Sequence, residues 1–358
     1  LEPSAFGSID AFLADLPATV RRRPLRTETL TATLEEKMKR IANGKFAGAA
    51  LAACLLVIGC LGLTACSSSG SSATGSTSSS AVNVTDMAGR AVALSAPATK
   101  VVTVTAGDCE ILYAIGAGDT LVGRGEYCDY PAEVSNVATV QSGADLNVEQ
   151  IVALAPDVVI IDMMDQTDDQ IAALENAGMK VVVTNASDID GVYQAIELIG
   201  AVTGKDSNAA QTVSQMKETF SKIEKETTLD GTKTVYFEVS PLAYGLYTAG
   251  SGTFMDEIAQ MVGLKNAFAD VSGWSQISEE QVLQRNPDYI VAVGMSYSDY
   301  DPVADIDTRA GWSGLTAVKD GHVFELSSDE ITRPGPRLQN AAEDLYSLVT
   351  TGTAAKVM

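Results

Sequence analysis

One pattern occurs twice in this chain, and it restricts the fold more than any other feature. Asn147-Val148-Glu149-Gln150-Ile151-Val152-Ala153-Leu154-Ala155-Pro156-Asp157 runs into an apolar stretch at 158–161, and Ser278-Glu279-Glu280-Gln281-Val282-Leu283-Gln284-Arg285-Asn286-Pro287-Asp288 runs into another at 289–293. Each copy begins on a helix-capping residue with Gln three positions later, the signature of a capping box. Each ends on Pro-Asp before a strand. A helix, a Pro-Asp turn and a strand repeated about 130 residues apart predict two similar α/β lobes.

The sequence around the first copy supports a parallel sheet. Residues 82–94 read as a hairpin turning at Ala88-Gly89, residues 100–105 as a β-rich run and 109–115 as the helix that follows. Further strands are expected at 121–123, 158–162 and 181–184, with a helix over 170–177. Short strands alternating with helices imply right-handed crossovers in a parallel sheet. Between the two copies, a helix over 190–202 should break at Gly204. A second, over 206–228, places Ala209, Val213, Met216, Phe220 and Ile223 at three- and four-residue steps. At about 1.5 Å per residue it would reach roughly 30–35 Å, enough to run along both lobes. A long surface helix on a single domain fits the same periodicity. The expected division is an N-terminal lobe at 82–186, connecting helices at 187–230 and a C-terminal lobe at 231–358.

Ahead of the lobes lies an address. Met38-Lys39-Arg40, an apolar run over 46–65 and Leu63-Thr64-Ala65-Cys66 follow the order of a secretion signal. The small residues end on a cysteine, which resembles the bacterial lipobox and implies lipidation of Cys66. The Ser/Gly/Thr-rich stretch 66–81 then serves as a flexible tether. A retained membrane helix is the other reading of the apolar run. Either way the positive flank places the bulk of the chain outside the cytoplasm. Residues 1–37 read as upstream sequence before a start at Met38, and residues 38–65 as the signal peptide.

Composition removes several functions. The chain carries a net charge of −22, and no basic stripe offers itself to nucleic acid. His322 is the one histidine; in a turn entering a strand it reads as structural, and its solitude argues against His-rich zinc sites and Ser/His/Asp chemistry. Cys54 and Cys60 fall in the signal, so Cys109 and Cys128 remain in an oxidising compartment. Both lie on loops leaving the same edge of the expected sheet, which allows a disulfide; two buried thiols are the alternative.

With these elements in order, the chain resembles the substrate-binding lipoproteins of ABC importers for siderophores, cobalamin and haem. That family has two Rossmann-like α/β lobes with parallel sheets joined by a single long helix. The resemblance runs from Val82 to the C-terminus on five segments: Tyr127-Cys128-Asp129-Tyr130-Pro131, the two repeat copies with Trp274-Ser275-Gln276-Ile277 before the second, Gly250-Ser251-Gly252-Thr253-Phe254, and Arg333-Pro334-Gly335-Pro336-Arg337. It implies a monomeric, lipid-anchored receptor outside the cell membrane. Such a receptor has no catalytic residues, no metal site and no cofactor of its own, and delivers a metal-chelate ligand to an ABC permease and its ATPase.

The ligand site of an open parallel sheet lies beyond the carboxyl ends of its strands. There the sequence offers Asp108, Cys109, Glu110, Arg124, Glu126, Tyr127 and Tyr130 in the first lobe, and Tyr244, Tyr247 and Trp274 in the second. The resemblance implies ligand contacts at Tyr127, Tyr247, Trp274 and Asp329, and a ligand-facing basic group at Arg333. Core packing for the aromatics and a structural ion pair for Arg333 and Arg337 are the competing readings. Cobalamin binders also carry a Trp before the first repeat copy, where this chain has Ser142-Gly143-Ala144. Glu149 and Glu280 begin equivalent helices, where a carboxylate suits the macrodipole; the resemblance implies that they dock into basic pockets of the permease. A sensor or carrier with the same fold would not need that pair. A cleft enzyme would need an acid/base pair or an activated nucleophile, and no such motif stands out.

Overall fold

The computed structural model describes residues 81–164, 166–294 and 300–352. The expected upstream segment, signal peptide, lipidation site Cys66 and all but the last residue of the tether lie outside the described residues.

The described chain opens on an antiparallel hairpin, β1 (Val82–Thr85) and β2 (Ala91–Leu94). Asp86 closes its turn by accepting hydrogen bonds from the backbone N–H of Ala88 at 3.1 Å and Arg90 at 2.8 Å. Next come β3 (Val101–Thr103), α1 (Ala106–Ala114), β4 (Leu121–Arg124), α2 (Val148–Ala153), β5 (Val158–Asp162), α3 (Asp168–Asn176) and β6 (Val181–Thr184). Their strands pair in parallel in the order β4-β3-β5-β6. Every residue of β5 and β6 is buried, because helices cover both faces of a parallel sheet; this is why these strands read as unbroken apolar runs.

Two helices follow, α4 (Ile189–Thr203) and α5 (Asp206–Glu226). Asp188 caps α4 through Gly191 N–H, and Gly204, at φ +68°, ends it in the left-handed conformation that glycine enters without a Cβ penalty. The expected break therefore stands. α5 is one uninterrupted helix whose buried face is Ala209, Thr212, Val213, Met216, Phe220 and Ile223, the stripe read from the sequence with one threonine added.

The second lobe contains β7 (Thr234–Glu238), β8 (Tyr247–Ala249), α6 (Phe254–Val262), β9 (Lys265–Asn266), β10 (Trp274–Gln276), α7 (Glu279–Arg285) and β11 (Tyr289–Gly294). α8 (Pro302–Thr308), α9 (Thr316–Asp320), β12 (Val323–Ser327), α10 (Ser328–Ile331) and α11 (Leu338–Thr351) complete it. A second parallel sheet has the order β12-β11-β7-β9, and β8 with β10 forms a separate antiparallel ribbon. The protein is thus two α/β lobes with parallel sheets joined by one long helix. Each lobe has an apolar cluster of its own, around Ile151 and Ile161 in the first and around Phe268 and Trp312 in the second. A third and larger cluster continues from Ile111 and Val158 through Ile196, Met216 and Phe220 to Ile258 and Leu345, so the lobes share a core along α4 and α5.

The repeated pattern has a common physical basis in both lobes. Asp157 Oδ2 accepts from Thr99 N–H, the Thr99 hydroxyl and Lys100 N–H, each at 2.9 Å. Asp288 Oδ2 accepts from Thr234 N–H at 2.9 Å and the Thr234 hydroxyl at 3.0 Å, while its Oδ1 meets Lys233 Nζ at 2.7 Å. In each lobe the Pro-Asp carboxylate therefore ties the start of its own strand to the start of the adjacent strand. The residue before each proline, Ala155 at φ +47° and Asn286 at φ +45°, is the only non-glycine residue pair at positive φ among the described residues.

Capping differs between the copies. Ser278 and Gln281 make the complete reciprocal box. Asn147 accepts from Gln150 N–H at 3.1 Å, but Gln150 Oε1 turns to Gln141 N–H at 2.8 Å. The first copy is half a box, because the backbone at Gln141 folds over the helix start and takes the Asn147 N–H itself.

The positive φ values predict opposite effects at equivalent positions. Left-handed backbone costs a non-glycine residue about 1–2 kcal/mol, and the greater unfolded-state entropy of glycine offsets part of the relief. Ala155→Gly should raise stability by up to about 1 kcal/mol. Asn286 tolerates the conformation, and its side chain holds Thr316 through two hydrogen bonds of 2.8 Å. Asn286→Gly should therefore lower stability by about 1–2 kcal/mol. Urea denaturation midpoints of the two variants check the signs.

Candidate functional site: the crevice between the lobes

The carboxyl ends of the parallel strands release the segments that face one another across the lobes. In the first lobe, β3 feeds α1 and β4 feeds the loop carrying Tyr127, Cys128, Asp129 and Tyr130. In the second, β12 feeds α10 and the Arg333-Pro334-Gly335-Pro336-Arg337 turn. The lobes meet here at close range. A Cβ placed on Gly107, in the first turn of α1, would stand 2.9 Å from the Pro334 carbonyl oxygen, so only glycine fits.

Ion pairs cross the same gap. Arg333 lies 3.0 Å from Glu110, 2.6 Å from Asp129 and 2.9 Å from Asp329. Arg337 bonds Glu110 through Nε and Nη2 at 2.8 and 2.6 Å, with Glu330 at 3.7 Å. The Glu110 side chain is 2 % exposed, that of Asp129 57 %. Burial alone would lower the Arg333 guanidinium, but Asp129 and Glu110 outweigh it and hold its pKa above the usual value. Burial pushes the Asp129 carboxyl up, and the Arg333 bond and charge more than reverse that, leaving it below the usual carboxylate range. Arg333 and Asp329, both expected to meet a ligand, are thus paired with each other, and Arg333 also with Glu110 and Asp129 of the opposite lobe. Glu110 and Arg337 are the partners that a search for ligand contacts passes over; the two arginines four residues apart, Arg333 and Arg337, were the available signal.

The aromatic candidates divide into two groups. Tyr127 and Tyr130 are half exposed on the loop after β4, and Tyr244 is half exposed between β7 and β8. The Arg337 guanidinium carbon stands 4.1 Å from the Tyr130 ring centre. Tyr247 and Trp274 lie on the β8/β10 ribbon, where Tyr247 pairs with Gln276 and Trp274 with Ala249; directly paired residues share a face, so all four lie on one side. Trp274 packs on Phe254, with ring centres 5.3 Å apart, and keeps part of its surface in solvent. Its indole N–H is buried and has no hydrogen-bond partner among the described residues.

Beneath the crevice the Thr184 hydroxyl lies 3.1 Å from both Asp108 carboxylate oxygens and 3.0 Å from Asp162 Oδ2. Burial pushes the Asp162 carboxyl up against the bonds from Met164 N–H and Thr184 that oppose it. Cys109 and Cys128 come together, but as free buried thiols. Of the two readings the sequence leaves open, a disulfide or two buried thiols, the structure has the thiols, on loops that the topology brings together. The Cys128 hydrogen bond, and burial after it, push the Cys109 thiol far above its usual value.

Glu149 and Glu280 are exposed. Beside Glu280, Glu279 accepts a hydrogen bond from the buried Trp312 Nε1 at 3.0 Å, whereas the Ser278 hydroxyl lowers the Glu280 carboxyl. His322 stacks on Tyr289 at 4.7 Å between ring centres and belongs to the structural framework. Among the described residues no group of three His, Cys, Asp or Glu is placed to hold a metal ion, and no helix is long and apolar enough to cross a membrane.

Two α/β lobes with parallel sheets joined by one long helix, with aromatic and ion-paired side chains gathered at the carboxyl ends of the strands, define the architecture. The chain belongs to the periplasmic binding protein family, whose sequence pattern matches residues 101–330. It is 36 % identical over 278 residues to YvrC of Bacillus subtilis strain 168, an uncharacterised ABC transporter substrate-binding lipoprotein, covering 76 % of this chain and 86 % of that one. It is 29 % identical to the vitamin B12-binding protein of Salmonella choleraesuis strain SC-B67, over 71 % of this chain and 91 % of the other. Among solved structures, a possible iron-binding (periplasmic solute-binding) protein from Staphylococcus epidermidis superposes with a TM-score of 0.62 at 30 % identity, covering 71 % of this chain and 99 % of its own.

The state of the two cysteines can be measured directly. Protein purified under reducing conditions and then freed of reductant should show both thiols inert to an alkylating reagent near neutral pH, because a buried thiol with a raised pKa forms little thiolate. Unfolding in urea should make both react. Equal labelling rates in the native and unfolded states would refute the buried placement.

Proposed function

We propose that this chain is the extracytoplasmic, lipid-anchored substrate-binding component of an ABC importer, and that it carries a metal chelate of the ferric-siderophore, corrinoid or haem class to the permease. The observation that carries this reading is where the structure leaves apolar side chains uncovered. Five large ones are exposed among the described residues, and three of them, Tyr127, Tyr130 and Tyr244, follow carboxyl ends of parallel strands. Broad rings with a polar edge suit a large multi-ring chelate, since they offer contact area with few torsions to order. In this reading Tyr127, Tyr130, Tyr247 and Trp274 contact the ligand, and Asp329 and Arg333 form the polar wall beside it. The relatives named as a substrate-binding lipoprotein and a vitamin B12-binding protein support the assignment.

The other two exposed side chains are Val152 and Leu283, which hold the same position in the two repeat copies. Each lies three residues after a glutamate, Glu149 or Glu280, and so on the same helix face. An acid beside an apolar side chain, presented once by each lobe, suits a partner with two equivalent basic docking surfaces. This favours transport over a free-standing sensor or carrier.

Two measurements test the proposal. Chelate binding should quench tryptophan fluorescence, and the change should shrink in Trp274→Phe, because Trp312, the other indole, is fully buried and can be quenched only at a distance. Glu149→Arg combined with Glu280→Arg should abolish uptake in vesicles reconstituted with the permease and ATPase, by setting like charges against each other, while the ligand Kd stays within a few-fold of wild type. Normal uptake by the double variant would remove the docking role.

A further inference from the structure

The arginines at the crevice are already committed. Four carboxylates, Glu110, Asp129, Asp329 and Glu330, surround the guanidiniums of Arg333 and Arg337, an excess of two negative charges. Arg309, near the end of β7, is 7 % exposed and bonds both oxygens of the buried Glu238 at 2.7 Å. Arg124, at the end of β4, gives Nη1 to the carbonyls of Gly125 and Cys128, which hold the side chain without balancing its charge, and its buried Nε has no hydrogen-bond partner among the described residues. No lysine stands among the described residues that directly follow the carboxyl ends of the parallel strands, at 104–110, 125–131, 163–167, 185–190, 239–246, 267–273, 300–304 and 328–337.

An anionic chelate could recruit Arg333 or Arg337 only by drawing them from carboxylates at 2.6–3.0 Å. Withdrawing Arg337 would take two of the three bonds from the Glu110 carboxylate, whose side chain is 2 % exposed, and an undercompensated buried charge is strongly unfavourable. Withdrawing Arg333 would leave Asp129 and Asp329 without their shared cation. An anion approaching without breaking the pairs meets net negative charge, and like charges facing across an interface suppress binding. A neutral or cationic chelate meets neither obstacle and still gains the tyrosine faces.

Resting on the reading of this crevice as a chelate site, we propose that Glu110 and Asp129 are specificity determinants: by holding Arg333 and Arg337 across the lobes, they set the site to accept neutral or cationic chelates. Corrinoids and ferric hydroxamates belong to the accepted class. Haem, with its two propionates, and ferric tris-catecholates belong to the excluded one.

The test is a comparison of Kd by calorimetry for cyanocobalamin, a ferric trihydroxamate, haemin and a ferric tris-catecholate. At least one of the first two should bind wild-type protein more than about ten-fold tighter than either of the last two, a difference of about 1.4 kcal/mol. Asp129→Asn removes a mostly exposed carboxylate and should narrow that gap by improving the anionic probes, in a salt-sensitive manner. Glu110→Gln, checked for folding by circular dichroism, should narrow it further. Tighter binding of haemin or the tris-catecholate by wild type, or an unchanged preference in folded Asp129→Asn, would overturn the proposal. Binding of none of the four probes would instead defeat the chelate-receptor reading on which it rests.

Discussion

The arrangement of the lobes depends on the apolar stripe of α5. Ala209, Val213, Met216, Phe220 and Ile223 are buried along the length of the helix in the cluster that reaches from Ile111 in one lobe to Leu345 in the other. Each fully buried large side chain of this kind is worth about 1.5–3 kcal/mol, so prising the lobes apart along α5 would expose several at once. Separation of the lobes is therefore least costly where the contacts between them are polar. There the Arg333–Asp129 contact has a partly exposed partner and is cheap to rearrange, while the Glu110 contacts are buried and costly to break. A small closure about a fixed helical edge is the motion this distribution of energies allows.

Within each lobe the same local solution recurs. A short helix ends in left-handed backbone before proline, and the following aspartate ties together the starts of two neighbouring parallel strands. The repeat is therefore one way of fixing the amino end of a parallel sheet, used twice, and it leaves the carboxyl ends free for function. The two copies diverge where their surroundings differ. Gln141 captures one capping glutamine, and Thr316 holds one of the left-handed residues.

The acidity of the chain takes on a local meaning at the crevice. There four carboxylates surround two guanidiniums, and the arginines act as fasteners between lobes. The sequence leaves Arg333 between a ligand-facing group and a structural ion pair. Whether a guanidinium is available depends on what else reaches it, and Glu110 and Asp129 arrive from positions more than two hundred residues earlier in the chain.

The sequence by itself determined the two-lobed α/β architecture, the long helix and its buried stripe, the break at Gly204 and the strands at 158–162 and 181–184. These are legible because period, capping and punctuation are local properties of the chain. It also placed the candidate aromatics at strand ends, since the end of a strand in a parallel sheet is set by order along the chain. Only the tertiary structure decided that Cys109 and Cys128 are neighbouring thiols, that Gln150 leaves its capping box for Gln141, and that Trp274 leans on Phe254. It alone decided that Arg333 and Arg337 are held by Glu110. Each of these is a pairing between segments distant in sequence, fixed by how the lobes pack, and no pattern within either segment records which partner the other supplies.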